Sequence, residues 1–214
     1  MKRLRIIVEQ ARARYGRRPV LVAGVAGLVI GVIVGLGLSA LLSPRHPAPT
    51  AFGPLCAVEP GVAVRPWTHL VLHHSAGDVG DAATFDRMHR EERQWENGLG
   101  YDFVIGNGRG SGDGEIEVST RWRRQMDGAH CKADGMNARA IGICFVGDFA
   151  DGRTPTDAQI RAGLALVHHL AGTFDIPSTN VLGHGEVDGS STQCPGRGFP
   201  IELMRVAADA ARRR

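Results

Sequence analysis

The pattern of apolar and polar positions divides the chain into three textures. Pro19 to Leu42 is an apolar run of 24 residues without a single charge. The next stretch, residues 43–67, is broken by proline: six of the 11 prolines fall between Pro44 and Pro66. From Thr68 onward, short apolar runs alternate with amphipathic segments and glycine-rich turns. HLVLHH (69–74) reads as a buried strand. Thr84 to Trp95 reads as a helix, with Thr84 as its N-cap and Phe85, Met88 and Trp95 on one face. GYDFVI (100–105) and the alternating EIEVS (115–119) read as strands, joined through the glycine-rich GNGRGSGDG. AIGICFVGDF (140–149) is the most apolar run of this region and predicts a central strand. Thr156 to Gly172 predicts a helix capped by Thr156, with Ile160, Leu164 and Val167 as its buried stripe. NVLGH (180–184) predicts a short strand and Phe199 to Arg212 a closing helix. Strands interleaved with helices imply an α/β domain, a central mixed β-sheet flanked by helices. Residues 68–214 are long enough to bury one proper core.

Charge changes the picture at the N-terminus. Residues 1–18 carry seven Lys and Arg against Glu9, a net +6, whereas the whole chain is +3. The remainder is therefore mildly acidic, at −3, and shows no basic aromatic stripe, which argues against nucleic acid as a partner. A helix of about 20 residues crosses the hydrocarbon layer. Residues 19–42 thus predict one transmembrane helix, an uncleaved signal anchor rather than a cleaved leader, whose apolar core spans about 7–15 residues. The basic tail, residues 1–18, then stays in the cytoplasm, and everything after Ser43 lies outside the cytoplasmic membrane. Ala23, Gly27, Gly31, Gly35 and Ser39 recur at every fourth position of the run. Gly27, Gly31 and Gly35 could pair two such helices, although small residues are common in membrane helices in any case. Residues 43–67 read as a stalk that lifts the domain at 68–214 off the membrane.

Nine histidines and four cysteines are then sorted by position. His168 and His169 are neighbours in a helix and do not face each other. His69 begins a strand, and His89 sits beside the apolar stripe of the first helix; both read as structural. His73 and His74 end a buried strand, where rigid scaffolds present their sites. Their side chains point to opposite faces, so one of the two enters a given site, and spacing does not say which. His184 also ends a strand. Cys194 follows ten residues later, after small polar residues that do not resemble core packing. Two imidazoles and one thiolate suit zinc, and three protein ligands leave a catalytic fourth position open. The alternative is a disulfide from Cys194 to Cys56, Cys131 or Cys144, which an oxidising compartment permits.

Five segments in order, LHHSAG (72–77), GYDFVIGNG (100–108), DGAHCKADGMNARAIGICFVGDF (127–149), TDAQIRAGLALVHHL (156–170) and LGHGEVDGSSTQCPG (182–196), make the pattern specific. Together they resemble the zinc-dependent N-acetylmuramoyl-L-alanine amidases of the type-2 amidase family, which includes the peptidoglycan recognition proteins. The resemblance implies a mixed sheet flanked by helices, Zn2+ as cofactor and peptidoglycan as partner. It implies hydrolysis of the amide between N-acetylmuramic acid and L-alanine of the stem peptide. The alternative is a module of the same fold that binds peptidoglycan without cutting it; such members usually lack the cysteine. The matching metal ligands are His73, His184 and Cys194. Tyr101 and Thr192 match catalytic positions near the reacting centre. His130 and Asn137 match substrate-binding positions of the groove, Asn137 at a nearby position that also shapes the loop. Three departures stand out: Asp102 replaces the usual histidine after the tyrosine, Gly185 replaces an arginine, and the His184–Cys194 spacing is ten rather than eight.

Overall fold

The structure, a computed structural model, describes residues 52–213. The basic tail, the 19–42 run with Gly27, Gly31 and Gly35, and the first part of the proline-rich segment lie outside the described residues. Among the described residues, no helix is long and apolar enough to cross a membrane.

Five strands form one sheet in the order β3-β2-β4-β1-β5: β1 (His69–His74), β2 (Phe103–Ile105), β3 (Ile116–Val118), β4 (Ala140–Phe145) and β5 (Val181–Gly183). β4 is the middle strand, as its unbroken apolar run predicts. It pairs parallel with β1 and β2, β5 pairs parallel with β1, and only β3 runs antiparallel, on β2. The sheet is therefore mixed, with helices on it, as expected. β2 is shorter than predicted: Gly100, Tyr101 and Asp102 precede it as an irregular lead-in.

Strand alternation gives the sheet two faces. Leu70, Leu72, Phe103, Ile105, Ile141, Ile143 and Phe145 form the larger core with two long helices, α5 (Asp157–Phe174) and α6 (Ile201–Arg212). The buried stripe of α5 is Ala158, Ala162, Leu166, Leu170 and their neighbours. It is shifted from the predicted Ile160–Leu164–Val167 set, of which only Val167 is fully buried. Thr156 caps α5 as expected. Its hydroxyl accepts from Gln159 N at 3.0 Å, and Gln159 Oε1 accepts from Thr156 N at 3.1 Å. Buried Gln159 then donates to the carbonyls of Ile105 and Val146, which bolts the helix start to the ends of β2 and β4.

The other face carries Val71, His73, Val104 and Cys144. It is covered by α2 (Ala82–Glu91) and by the 128–139 segment, which ends in α4 (Met136–Arg139). The cap of α2 is Asp81, not Thr84: the Asp81 carboxylate accepts from Thr84 N at 2.6 Å. A carboxylate at this end also meets the positive pole of the helix, so it displaces the weaker threonine cap. Trp95 lies beyond the helix, its ring tilted against His89 with 4.7 Å between the centroids.

The folded body begins earlier than residue 68. Phe52, in the short helix α1 (Phe52–Leu55), and Trp67 are both buried in the main core. Trp67 Nε1 donates to Gln125 Oε1 at 2.8 Å, and Trp122 Nε1 donates to the Cys56 carbonyl at 2.9 Å. Arg65 reaches Asp127 at 2.6 Å and the Ala138 carbonyl at 2.7 Å. Residues 52–67, expected as stalk, are thus part of the domain, because two aromatic anchors outweigh the extended tendency of their prolines. The short helix α3 (Thr120–Arg123) brings Trp122 to that contact.

Candidate metal centre

β1 places its last two side chains on opposite faces. His73 is 1% exposed and points to the face shared with Cys144, its register partner on β4. His184 opens a single tight turn, His184–Glu186, directly after β5. Cys194 closes the loop that follows. One ligand atom from each of His73, His184 and Cys194 lies within 4.8 Å of the other two. The Cys194 sulfur is 3.7 Å from His73 Nδ1, and the rings of His73 and His184 are 4.6 Å apart at their centroids. All four cysteines are free, so neither a Cys194 disulfide nor a Cys56–Cys131 bridge is present.

The hydrogen bonds behind His73 define which nitrogen is available. His130 Nε2 lies 3.3 Å from the Ala140 carbonyl, which can only accept, so Nε2 carries the proton. His130 Nδ1 is then a bare acceptor, and it lies 3.1 Å from His73 Nε2. His73 must donate there, which leaves its Nδ1 lone pair facing Cys194. The proton pattern thus prepares His73 to bind a cation through one nitrogen. Burial, reinforced by the neighbouring imidazoles, holds His73 well below the ordinary histidine value. Burial lowers His130 to about 4, and it also lowers His184. All three are neutral at pH 7, as metal ligation requires.

Cys194 is poised differently. Burial pushes its thiol up to about 11, partly offset by the His74 backbone N–H, which points at the sulfur from 3.4 Å. Without a cation the sulfur keeps its proton; a divalent ion displaces it, so binding releases a proton. The His74 side chain belongs elsewhere: its Nδ1 accepts from Phe149 N at 3.2 Å and lies 3.4 Å from Asp148. This donor set of two neutral imidazoles and one thiol fits zinc, with three protein ligands.

Tyr101 sits beside the cluster, with its ring 5.1 Å from His73. Burial raises its phenol well above the ordinary value, helped by Cys144 and Cys194, so it remains a hydrogen-bond donor. Cys144, expected as a possible disulfide partner, is free and fully buried and shares the site's face. The parallel register of β4 with β1 brings it there, and no local motif reveals that register.

His130, expected as a groove residue that binds substrate, is only 7% exposed; it sits behind His73 and meets that ring edge-on, with 5.0 Å between the centroids. A Cβ built on Gly142 of β4 would come within 2.4 Å of its ring, so that strand position must be glycine. Asn137, expected to bind substrate, shapes the loop: its Oδ1 accepts from Cys131 N at 2.8 Å and its carbonyl from Gly128 N at 2.7 Å. This is the loop that seats His130. Thr192 is exposed, and its hydroxyl oxygen accepts from Cys194 N at 3.1 Å, which shapes the turn presenting the sulfur. Gly185 is forced by that same turn. Its N–H donates to the Cys194 carbonyl at 2.6 Å, and a Cβ would meet the Thr192 carbonyl at 2.4 Å. Asp102 follows Tyr101 in the lead-in to β2. It is fully buried, bonded to Gly142 N at 2.7 Å, and burial raises it to about 7.

The family described as N-acetylmuramoyl-L-alanine amidase (Amidase_2) matches residues 63–197, and the chain belongs to that family. It is 34% identical over 112 residues to peptidoglycan-recognition protein SA of Drosophila melanogaster, covering 49% of this chain and 50% of that protein. The chain thus spans about half the length of that relative. It is 30% identical over 122 residues to the endolysin of Enterobacteria phage K11, covering 53% of this chain and 72% of the endolysin. Among solved structures, the N-acetylmuramoyl-L-alanine amidase LysC from Clostridium intestinale URNW superposes with a TM-score of 0.57 at 30% identity. That match covers 67% of this chain and 86% of LysC.

Proposed function

We propose that this protein is a zinc-dependent amidase that hydrolyses the bond between N-acetylmuramic acid and L-alanine of the peptidoglycan stem peptide. The observation that carries the reading is the convergence of His73, His184 and Cys194 within 4.8 Å in a member of the Amidase_2 family. Members that only bind the polymer usually dispense with the cysteine; this chain keeps it.

Zinc bound there would supply an activated water and a Lewis acid for the amide carbonyl. His73, His184 and Cys194 hold the ion. His130 fixes the His73 proton on Nε2 and keeps the ring from rotating. Tyr101, protonated at pH 7, is a donor for the negative charge that develops on the carbonyl oxygen, and a desolvated donor is worth far more than one in water. Thr192 holds the Cys194 turn and keeps its own hydroxyl proton for the reacting centre. Glu186 is already engaged by a backbone N–H and an arginine, which argues against it as a general base.

The sequence supports a location as well. The uncharged 19–42 run with its basic flank supports a single-pass anchor in the cytoplasmic membrane, with the N-terminus inside and the domain outside, where peptidoglycan lies. Mass spectrometry of wall digested by the full chain in detergent, wild type beside Cys194→Ala, tests the activity. Free stem peptide with wild type alone supports it. Intact glycopeptide with both, together with retained binding to the wall, would favour the binding module.

A further inference from the structure

The loop that carries two of the three clustered side chains is poorly supported from behind. A cavity of about 240 Å³ opens beside it, lined by Gly183, Glu186, Thr192, Cys194, Pro195 and Phe199 among others. Such a loop needs another device to hold its geometry, because packing alone leaves room to shift. The device present is polar. Glu186 Oε2 accepts from Gly183 N, the residue before His184, at 2.7 Å. The same oxygen accepts from Arg205 Nη2 at 2.7 Å. Arg205 comes from α6 and is half-buried, and its Nε donates to the Val181 carbonyl at 3.1 Å. One guanidinium therefore grips both the start of β5 and the acid that closes the turn after it. The planar fork of arginine makes this two-point grip; a lysine ammonium would not reproduce it. The third nitrogen, Nη1, pairs with Glu202, which is largely exposed, and that arm is worth little.

We propose that Arg205 and Glu186 are a positioning pair for the metal centre: they lock the β5 turn so that His184, and through the Gly185–Cys194 backbone bond also Cys194, face His73. The pair touches neither substrate nor ion and acts only through the ligands it aims. The proposal rests on reading the cluster as a zinc site. Support for a ligand of this kind typically changes metal affinity by about ten- to a hundredfold.

The test is zinc affinity of the full chain, measured by competition with a chromogenic chelator, and the absorption of the cobalt-loaded protein. Glu186→Ala and Arg205→Ala should bind zinc about ten- to a hundredfold more weakly, and at saturating cobalt their thiolate and d–d bands should shift. Glu202→Ala should match wild type in both. A role confined to general stability would lower the melting temperature and leave the cobalt spectrum unchanged. Should an alanine variant not fold, Glu186→Gln and Arg205→Lys carry the test with a smaller loss in the same direction. Wild type binding one zinc while every variant binds it equally, with the same spectrum, overturns the pair alone. A wild type that binds no zinc overturns the zinc reading and the pair with it.

Discussion

The two sides of the metal centre are built in opposite ways. His73 comes from a strand hydrogen-bonded on both edges, is almost wholly buried and has its proton placed by His130. His184 and Cys194 come from a polar, largely exposed loop held by single hydrogen bonds: Gly185 N to the Cys194 carbonyl, Cys194 N to Thr192, and Gly183 N to Glu186. The strand side needs no ion to hold its geometry, and an ion bound there would complete the loop side. A site divided in this way binds a cation without first paying the full cost of ordering two loops, and it keeps the ligand that must lose a proton where its turn can adjust.

The comparison can be broken most completely at Cys194. Cys194→Ser should abolish stoichiometric zinc and hydrolysis together, and prolonged dialysis of wild type against a chelator should do the same reversibly; metal analysis and wall digestion check both. On the strand side, Asp102 ties the lead-in of β2 to Gly142, beneath His130. Its carboxyl is raised to about 7 in the fold against about 3.9 unfolded, so the folded state binds more protons between these values. Its contribution to stability is therefore fully present below about pH 4 and lost as pH rises through about 7. Asp102→Asn should flatten the pH dependence of chemical denaturation across that window, by up to about 4 kcal/mol.

Tyr101→Phe keeps the ring beside His73 and removes the donor. It should lower kcat about 10²- to 10³-fold with zinc content unchanged. His130→Ala should weaken zinc by about ten- to a hundredfold, because His73 loses the acceptor that fixes its proton. The mildest change is Thr192→Ala. It removes one loop hydrogen bond worth about 1 kcal/mol and should weaken zinc by less than tenfold. An effect of Thr192→Ala larger than that of His130→Ala would reverse the contrast between the two sides.

The residues that were legible in the sequence are those whose environment is local. β1 and β4 announce themselves as apolar runs, α5 through its Thr156 cap, and His184 and Cys194 through a polar loop that makes no sense as core. What was not legible depends on partners distant in the chain. Phe52 and Trp67 look like parts of a stalk until the core that receives them exists. Asp81 outcompetes Thr84 as a cap only once the chain turns there. His130 looks like a groove residue until Gly142, on a strand twelve residues later, provides the flat bed on which it lies. Cys144 joins the site's face through sheet register alone.

The proton chain behind His73 ends on the Ala140 carbonyl, a dipole, and not on a carboxylate. Nothing along that line lends the imidazole negative charge. A dication gripped by two neutral rings and a single thiolate would therefore stay net positive. Anything electron-rich approaching such an ion would meet an attractive potential.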